Sequence, residues 1–241
     1  MNITNDVVYV GVSDKNLDLF EGQYQVPSGM AYNSYLIIDE KIAKEEKLYT
    51  DYRYPIYVDD TASIYYGHII AVKEGFEQNR SLISVDKAGN ERILKPFSGY
   101  TSPLALGKDG KIYWSESIFN GASQLQDYSV IASFDLKTGK IKIKRYNTRY
   151  YNPSPSPTGD MIAVAEYPVE GSSNLIVLSS DKQEVLRKIE APNKGQIKEI
   201  AFIGDTIYCS VILDKGLGIY SYDRVRWSEV IPQQNQTLVG L

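Results

Sequence analysis

A repeat of just under fifty residues limits what this chain can fold into. Four segments follow one plan: a turn, an apolar strand, a variable loop and a strand–turn–strand hairpin. They are residues 60–94, 109–146, 159–189 and 204–231. Ser63, Ile112, Met161 and Ile207 fall at comparable places in them, 49, 49 and 46 residues apart. A unit of this kind cannot bury both of its apolar faces alone, so successive units must stack.

The period suits one four-stranded blade of a β-propeller, and the residue types agree. The chain carries 20 tyrosines. Tyr, Ile and Val dominate its apolar stretches, and these side chains favour strands. "DKAGNE" and "DLKTGK" place Gly89 and Gly139 where a tight hairpin turn needs a positive φ. "SSDKQE" and "YDRVRW" keep the hairpin without the glycine. The best helical candidate, 39–49, is short. The expected fold is therefore all-β: a β-propeller-like array of about four four-stranded blades, preceded by a short β segment. The expected blades are 47–97, 98–149, 150–193 and 194–232, within a domain 47–241 that follows a segment 1–46. A six-bladed ring would need roughly 280 residues, and the chain has 241. The array is expected to be incomplete, with open sheet edges through which copies could self-associate.

"YNPSPSPTGDMIAVAEYP" (151–168) reads as a proline-stiffened crossing from one blade to the next. The Thr158-Gly159 turn then leads into a strand buried on both faces, which is why "MIAVA" does not alternate.

Charge and composition exclude several classes. Lys and Arg number 26 against 30 Asp and Glu, a net charge of −4. That is no nucleic-acid footprint. The most basic stretch, 136–149, alternates its charges with Ile141 and Ile143, as a half-buried strand does. Cys209 is the only cysteine, sits in an apolar strand and has no partner for an internal disulfide. No apolar run approaches a membrane span. The start of the sequence has no charged region followed by an apolar one, so a cytoplasmic location is the expectation.

Residues 151–189, "NPSPSPTGDMIAVAEYP" and then "LIVLSSDKQEVLRKI", resemble the PD40 or WD40-like repeat of TolB-type β-propellers. Thr158 stands where that repeat usually has Asp, and Asp160 where it often has Lys. The resemblance runs over about 45–232 and is close only in the third blade. It implies a surface for binding proteins or peptides, or an accessory domain of a serine peptidase. Such propellers are often periplasmic.

Residues 3–43 do not fit the blade pattern. "YVGV", "DLFEGQY", "YNSY" and "IDEKIA" resemble the start of the flavodiiron proteins. In that family a diiron site with several histidines follows, and then a flavodoxin domain. Here the likeness stops near Ala43, and His68 is the only histidine in the chain. A non-haem diiron site needs several imidazoles and carboxylates together. The expectation is no cofactor, iron or flavin, and no metal ligands.

His68 lies in "YYGHIIAV" and reads as a packed strand residue. A Ser-His-Asp triad would have to use it, and no serine has a G-x-S-x-G elbow. No catalytic residues are expected. The candidate binding surface is Tyr52, Arg53, Tyr54 and Tyr57 in "TDYRYPIYVDD", because Tyr and Arg are enriched at binding hot spots. The sequence thus reads as a non-enzymatic binding or scaffold module whose partner is a protein or peptide. The alternatives are a descendant of a flavodiiron oxidoreductase and the accessory propeller of a hydrolase.

Overall fold

The structure is a computed structural model. It describes residues 52–75, 80–97, 99–118, 128–143 and 148–234, together with the backbone of six short strands within the first 51. The chain divides into two units, Met1–Asp51 and Tyr52–Leu241.

In the first unit the strands are β1 (Val7–Tyr9), β2 (Val12–Asp14), β3 (Leu19–Phe20), β4 (Tyr24–Gln25), β5 (Met30–Tyr32) and β6 (Tyr35–Ile37). They form three nested antiparallel pairs: β1 with β6, β2 with β5, and β3 with β4. The expected helix at 39–49 lies outside the described residues.

The second unit is four antiparallel sheets of four strands, each built from consecutive strands in chain order. Sheet 1 holds β7 (Tyr52–Tyr57), β8 (Ile69–Glu74), β9 (Arg80–Val85) and β10 (Glu91–Pro96). Sheet 2 holds β11 (Ala105–Leu106), β12 (Lys111–Ile118), β13 (Tyr128–Asp135) and β14 (Ile141–Ile143). Sheet 3 holds β15 (Tyr150–Pro155), β16 (Met161–Glu166), β17 (Asn174–Ser179) and β18 (Val185–Glu190). Sheet 4 holds β19 (Gln196–Ile203), β20 (Thr206–Leu213), β21 (Gly216–Tyr222) and β22 (Trp227–Gln234). Among the described residues the one helical turn is a short 3-10 segment at Pro192–Lys194. None of their helices is long and apolar enough to cross a membrane.

The sheets stack face to face, and alternation along each strand sends neighbouring residues into different cores. Ile112, Trp114 and Phe134 of sheet 2 pack with Ile70, Leu82 and Tyr65 on the side of sheet 1. Tyr113 and Ile131, their neighbours in sequence, pack with Ile162, Val164 and Ile176 of sheet 3. Ala163, Ala165, Leu175 and Val177 face the other way, onto Ile207, Cys209, Val211 and Tyr220 of sheet 4. Each large side chain removed from water here contributes about 1.5–3 kcal/mol. Two-sided burial explains the continuous apolar run at 161–165. No hydrophobic cluster of the described residues joins sheet 4 to sheet 1, and the array is open.

The hairpin turns follow their chemistry. Gly89 and Gly139 have φ of +85° and +67°. In the turns without glycine, Gln183 and Arg224 adopt the left-handed conformation instead, at φ of +54° and +75°. Asp86, Asp135 and Asp223 each accept two backbone N–H bonds across their turns, the Asx arrangement that fixes such a bend.

Two expectations need correction. Ser63 does not match Ile112, because it lies in a long turn before β8, where its hydroxyl donates to the Leu136 carbonyl. The equivalents of Ile112 are Ile69 and Ile162, so Met161 stands one place early as well: Val58 N–H bonds to His68 O just as Gly107 N–H bonds to Lys111 O and Ser156 N–H to Met161 O, and in each case the matching residue is the next one along. The proline ramp is not a crossing either. Pro153 and Pro155 belong to β15, a strand on one edge of sheet 3. An edge strand tolerates the missing N–H groups.

Candidate functional site

The first strands of sheets 2, 3 and 4 lie side by side, and the first stretch of every sheet is broken. In β7 the pairing register shifts between Arg53 and Ile56, in β15 between Tyr151 and Ser154, and in β19 between Ile197 and Glu199. In sheet 2, Thr101 pairs with Glu116 and Ala105 with Tyr113, so four steps on one strand face three on the other. Such bulges re-aim side chains and backbone groups.

Two bulges contain the same unusual step. Tyr54 and Asn152 hold φ of +55° and +51°, and each precedes a proline, Pro55 and Pro153. A left-handed residue that is not glycine costs on the order of 1–3 kcal/mol and persists only where its surroundings impose it. Here the surroundings are polar clamps. The Asn152 amide donates to the Lys198 carbonyl, and the Tyr167 hydroxyl donates to the Ile197 carbonyl. The Tyr151 and Tyr167 rings lie 5.1 Å apart. Side chains of sheet 3 therefore hold the bulge of sheet 4.

The bulges surround a cleft of about 770 Å³. Five tyrosines line it: Tyr54, Tyr100, Tyr151, Tyr167 and Tyr208. Pro103 and Pro153 add rigid apolar surface, and Lys198 and Glu199 are its charged residues. Burial, and then Tyr151, push the Tyr167 hydroxyl up to about 12, so it stays protonated and remains a donor at neutral pH. Cys209 borders the cleft, but burial pushes its thiol up to about 12, which keeps it from acting as a thiolate.

Of the four residues named from the sequence, Tyr54 lines the cleft. The others do not join it. Tyr52 donates to Glu91, beside Lys73, whose ammonium stands 5.9 Å from the Tyr52 ring centre. Arg53 pairs with Glu74 at 3.0 Å, and Tyr57 is exposed. Alternation sets Arg53 apart from Tyr54, and the register shift between Arg53 and Ile56 re-aims Tyr54 relative to Tyr52 and Tyr57. A signal for the missed residues stood in the sequence: the step Tyr-x-x-Pro recurs at 52–55, 100–103 and 150–153, and each instance falls on the first stretch of a sheet. His68 Nδ1 lies 2.8 Å from Ser84 Oγ, a pair in which Ser84 is buried and His68 half-buried. No three His, Cys, Asp or Glu among the described residues are grouped so as to hold a metal.

The chain resembles solved β-propeller domains over most of its length. One is the propeller domain of the trilobed protease from Pyrococcus furiosus, described as having an open velcro topology: TM-score 0.55, 12% identity, covering 86% of this chain and 61% of that one. The array is a β-propeller. The tricorn protease gives a TM-score of 0.58 at 12% identity, over 86% of this chain and 24% of that one. A structure described as TolB from Agrobacterium tumefaciens gives 0.52 at 12% identity, over 69% and 62%. The propeller thus spans under two thirds of each of these chains. No family model matches it, and no curated protein matches it. The comparisons give no support to the flavodiiron resemblance of residues 3–43.

Proposed function

We propose that this propeller is a non-enzymatic binding module of TolB-like type that takes an extended segment of a partner protein into the tyrosine-lined cleft. The observation that carries the reading is the lining itself. Five tyrosines and two prolines converge there from all four sheets, with one cation and one anion at Lys198 and Glu199. Tyrosine offers large contact area at low entropic cost and keeps a hydroxyl for main-chain groups. Aromatic-lined grooves suit extended, proline-containing segments, whose conformation is already set. The volume lies within the ordinary range of ligand sites. The trilobed and tricorn proteases carry related propellers, so the same cleft could serve a hydrolase as an accessory module.

The test is a screen of extended peptides, with and without proline, by isothermal titration. Tyr54→Ala and Tyr208→Ala are each expected to weaken binding at least about tenfold, while Val225→Ala, on an exposed turn, leaves it unchanged. Equal affinity in all three variants would remove the cleft as the site. Cleavage of a bound peptide, followed by mass spectrometry, would overturn the non-enzymatic reading.

A further inference from the structure

We infer that a proline-free, extended segment of a partner protein docks on β19 as an added strand, along the edge that this strand turns to the cleft. This mode of docking rests on the reading of the cleft as a site for an extended segment, and adds how the main chain of that segment is held.

The register of β19 fixes which of its groups are free. Ile203 pairs with Thr206 across a two-residue turn, in which Gly204 holds a left-handed φ of +58°. The pair flanking such a turn exchanges both of its main-chain bonds, and from there the direction alternates. Ile203 and Ala201 therefore turn their N–H and C=O groups to β20, and Phe202 and Ile200 turn theirs away. The bulge agrees with this count. Glu199 N–H points to β20, where it donates to Ser210 Oγ at 3.1 Å. The Lys198 carbonyl, on the other side of the same peptide unit, is capped by the Asn152 amide, and the neighbouring Ile197 carbonyl by the Tyr167 hydroxyl. Asn152 and Tyr167 both line the cleft, as do Lys198, Glu199, Ile200 and Ala201, so the outward edge of β19 opens to it. The caps end at the bulge. Among the described residues, no strand or side chain meets the outward groups of Ile200 and Phe202.

The first stretches of the other sheets are closed to strand addition. Pro55 stands in β7, Pro103 just before β11, and Pro153 and Pro155 in β15. Proline on an edge keeps it from taking on another strand. The sequence of β19, "QIKEIAFI", has none. Its one cation, Lys198, stands in the bulge, before the free stretch. The occupant follows from the groups left free. Two donors and two acceptors, from residues two apart on an extended chain, match the main chain of another extended segment running in either direction. Such a segment must offer N–H groups at alternate residues. A run of prolines has none to offer. Among the extended segments that a wall of tyrosines suits, the edge thus selects those that form strands.

The experiment is hydrogen exchange read by NMR on the full chain, with and without a capped hexapeptide of alternating threonine and valine. Isothermal titration accompanies it, with the same peptide, a form N-methylated at every valine and a form N-methylated at every residue. Methyl groups at alternate residues block one edge of an extended peptide and leave the other free, so the half-methylated form is expected to bind as the parent peptide does. The fully methylated form is expected to bind at least about tenfold more weakly. The parent peptide is expected to slow exchange at Ile200 and Phe202 more than at Ala201 and Ile203, whose N–H groups already bond to β20. If the fully methylated form binds as well as the parent and Tyr54→Ala weakens both, the cleft holds its ligand by side chains alone, and strand addition is wrong while the cleft stands. Binding of the parent peptide without protection of Ile200 and Phe202 would also overturn the inference. If no form of the hexapeptide binds while another extended peptide does, strand addition is again wrong; if no extended peptide binds at all, the cleft fails with it. Protection of the two amides that rises with protein concentration in the absence of peptide would give the edge to a second copy and overturn the inference.

Discussion

Gly195 joins the 3-10 turn to β19, and its replacement by alanine isolates a purely steric demand. Its φ is −77°, which any residue can adopt. A Cβ there would lie 2.5 Å from Val211 Cγ1, 2.6 Å from Leu213 Cδ2 and 2.7 Å from the Ile212 carbonyl oxygen. The glycine cannot retreat easily. Its carbonyl accepts from Ser173 N–H at 3.3 Å and from Ser173 Oγ at 3.1 Å. Ser173 Oγ in turn accepts from Ile197 N–H at 2.7 Å. The new methyl group must therefore push β20 away from the position that packs Val211 against sheet 3. Overpacking of this kind costs about 1–3 kcal/mol, and contact with backbone puts Gly195→Ala at the upper end, about 2–3 kcal/mol. At about 2–4 °C per kcal/mol for a domain of this size, the melting temperature should drop by roughly 5–10 °C. Gly89→Ala is the internal control. A Cβ at Gly89 meets nothing within 4 Å, but its φ is +85°, so only backbone strain of about 1 kcal/mol applies. Urea denaturation of both variants decides the matter. If Gly195→Ala costs no more than Gly89→Ala, the close approach of Gly195 to β20 is wrong.

Cys209 is expected to resist a thiol-reactive probe at pH 8 in the native protein and to react at once in denaturant, because burial raises its thiol to about 12. Acid should weaken the fold through the turn aspartates. The Asn90 side chain lowers Asp86, and the N–H groups of Arg226 and Val225 lower Asp223. At Asp135 burial alone would raise the carboxyl, but the N–H groups of Thr138 and Lys137 outweigh it. A depressed folded value means that each group stabilises above the ordinary unfolded value, near 4, and that this contribution is lost as pH falls through the folded value. Melting temperature is therefore expected to decline below about pH 4, and less steeply in Asp135→Asn.

The period was legible because each sheet repeats one demand, two apolar faces and a tight hairpin, and Gly89 and Gly139 marked the turns. The offset in sheet 1 was not legible. The turn from Val58 to His68 is longer than its counterparts, and a spacing count cannot tell a lengthened turn from a shifted strand. The prolines misled for a different reason. Proline excludes a central strand, but β7 and β15 are edge strands, where the same residue is allowed and helps form the bulge. Tyr52, Arg53, Tyr54 and Tyr57 were chosen as a cluster in sequence, yet a strand scatters neighbours to opposite faces. The cleft gathers residues from four segments about 50 residues apart, and only Tyr-x-x-Pro, recurring at that spacing, announced it.

The stacking order has a dynamic consequence. Sheet 2 is gripped from both sides, by Trp114 and Phe134 on one and Tyr113 and Ile131 on the other, whereas among the described residues sheet 4 is gripped from one. In a linear array with nearest-neighbour coupling, an end unit opens by breaking one interface and an interior unit only by breaking two. Amide hydrogens of β20 and β21 should therefore exchange with solvent through a cheaper opening than those of β12 and β13. Sheet 4 also supplies Tyr208, Lys198 and Glu199 to the cleft. The wall most free to breathe is thus the wall a ligand would touch, and occupancy would be read most sensitively as slowed exchange in that sheet.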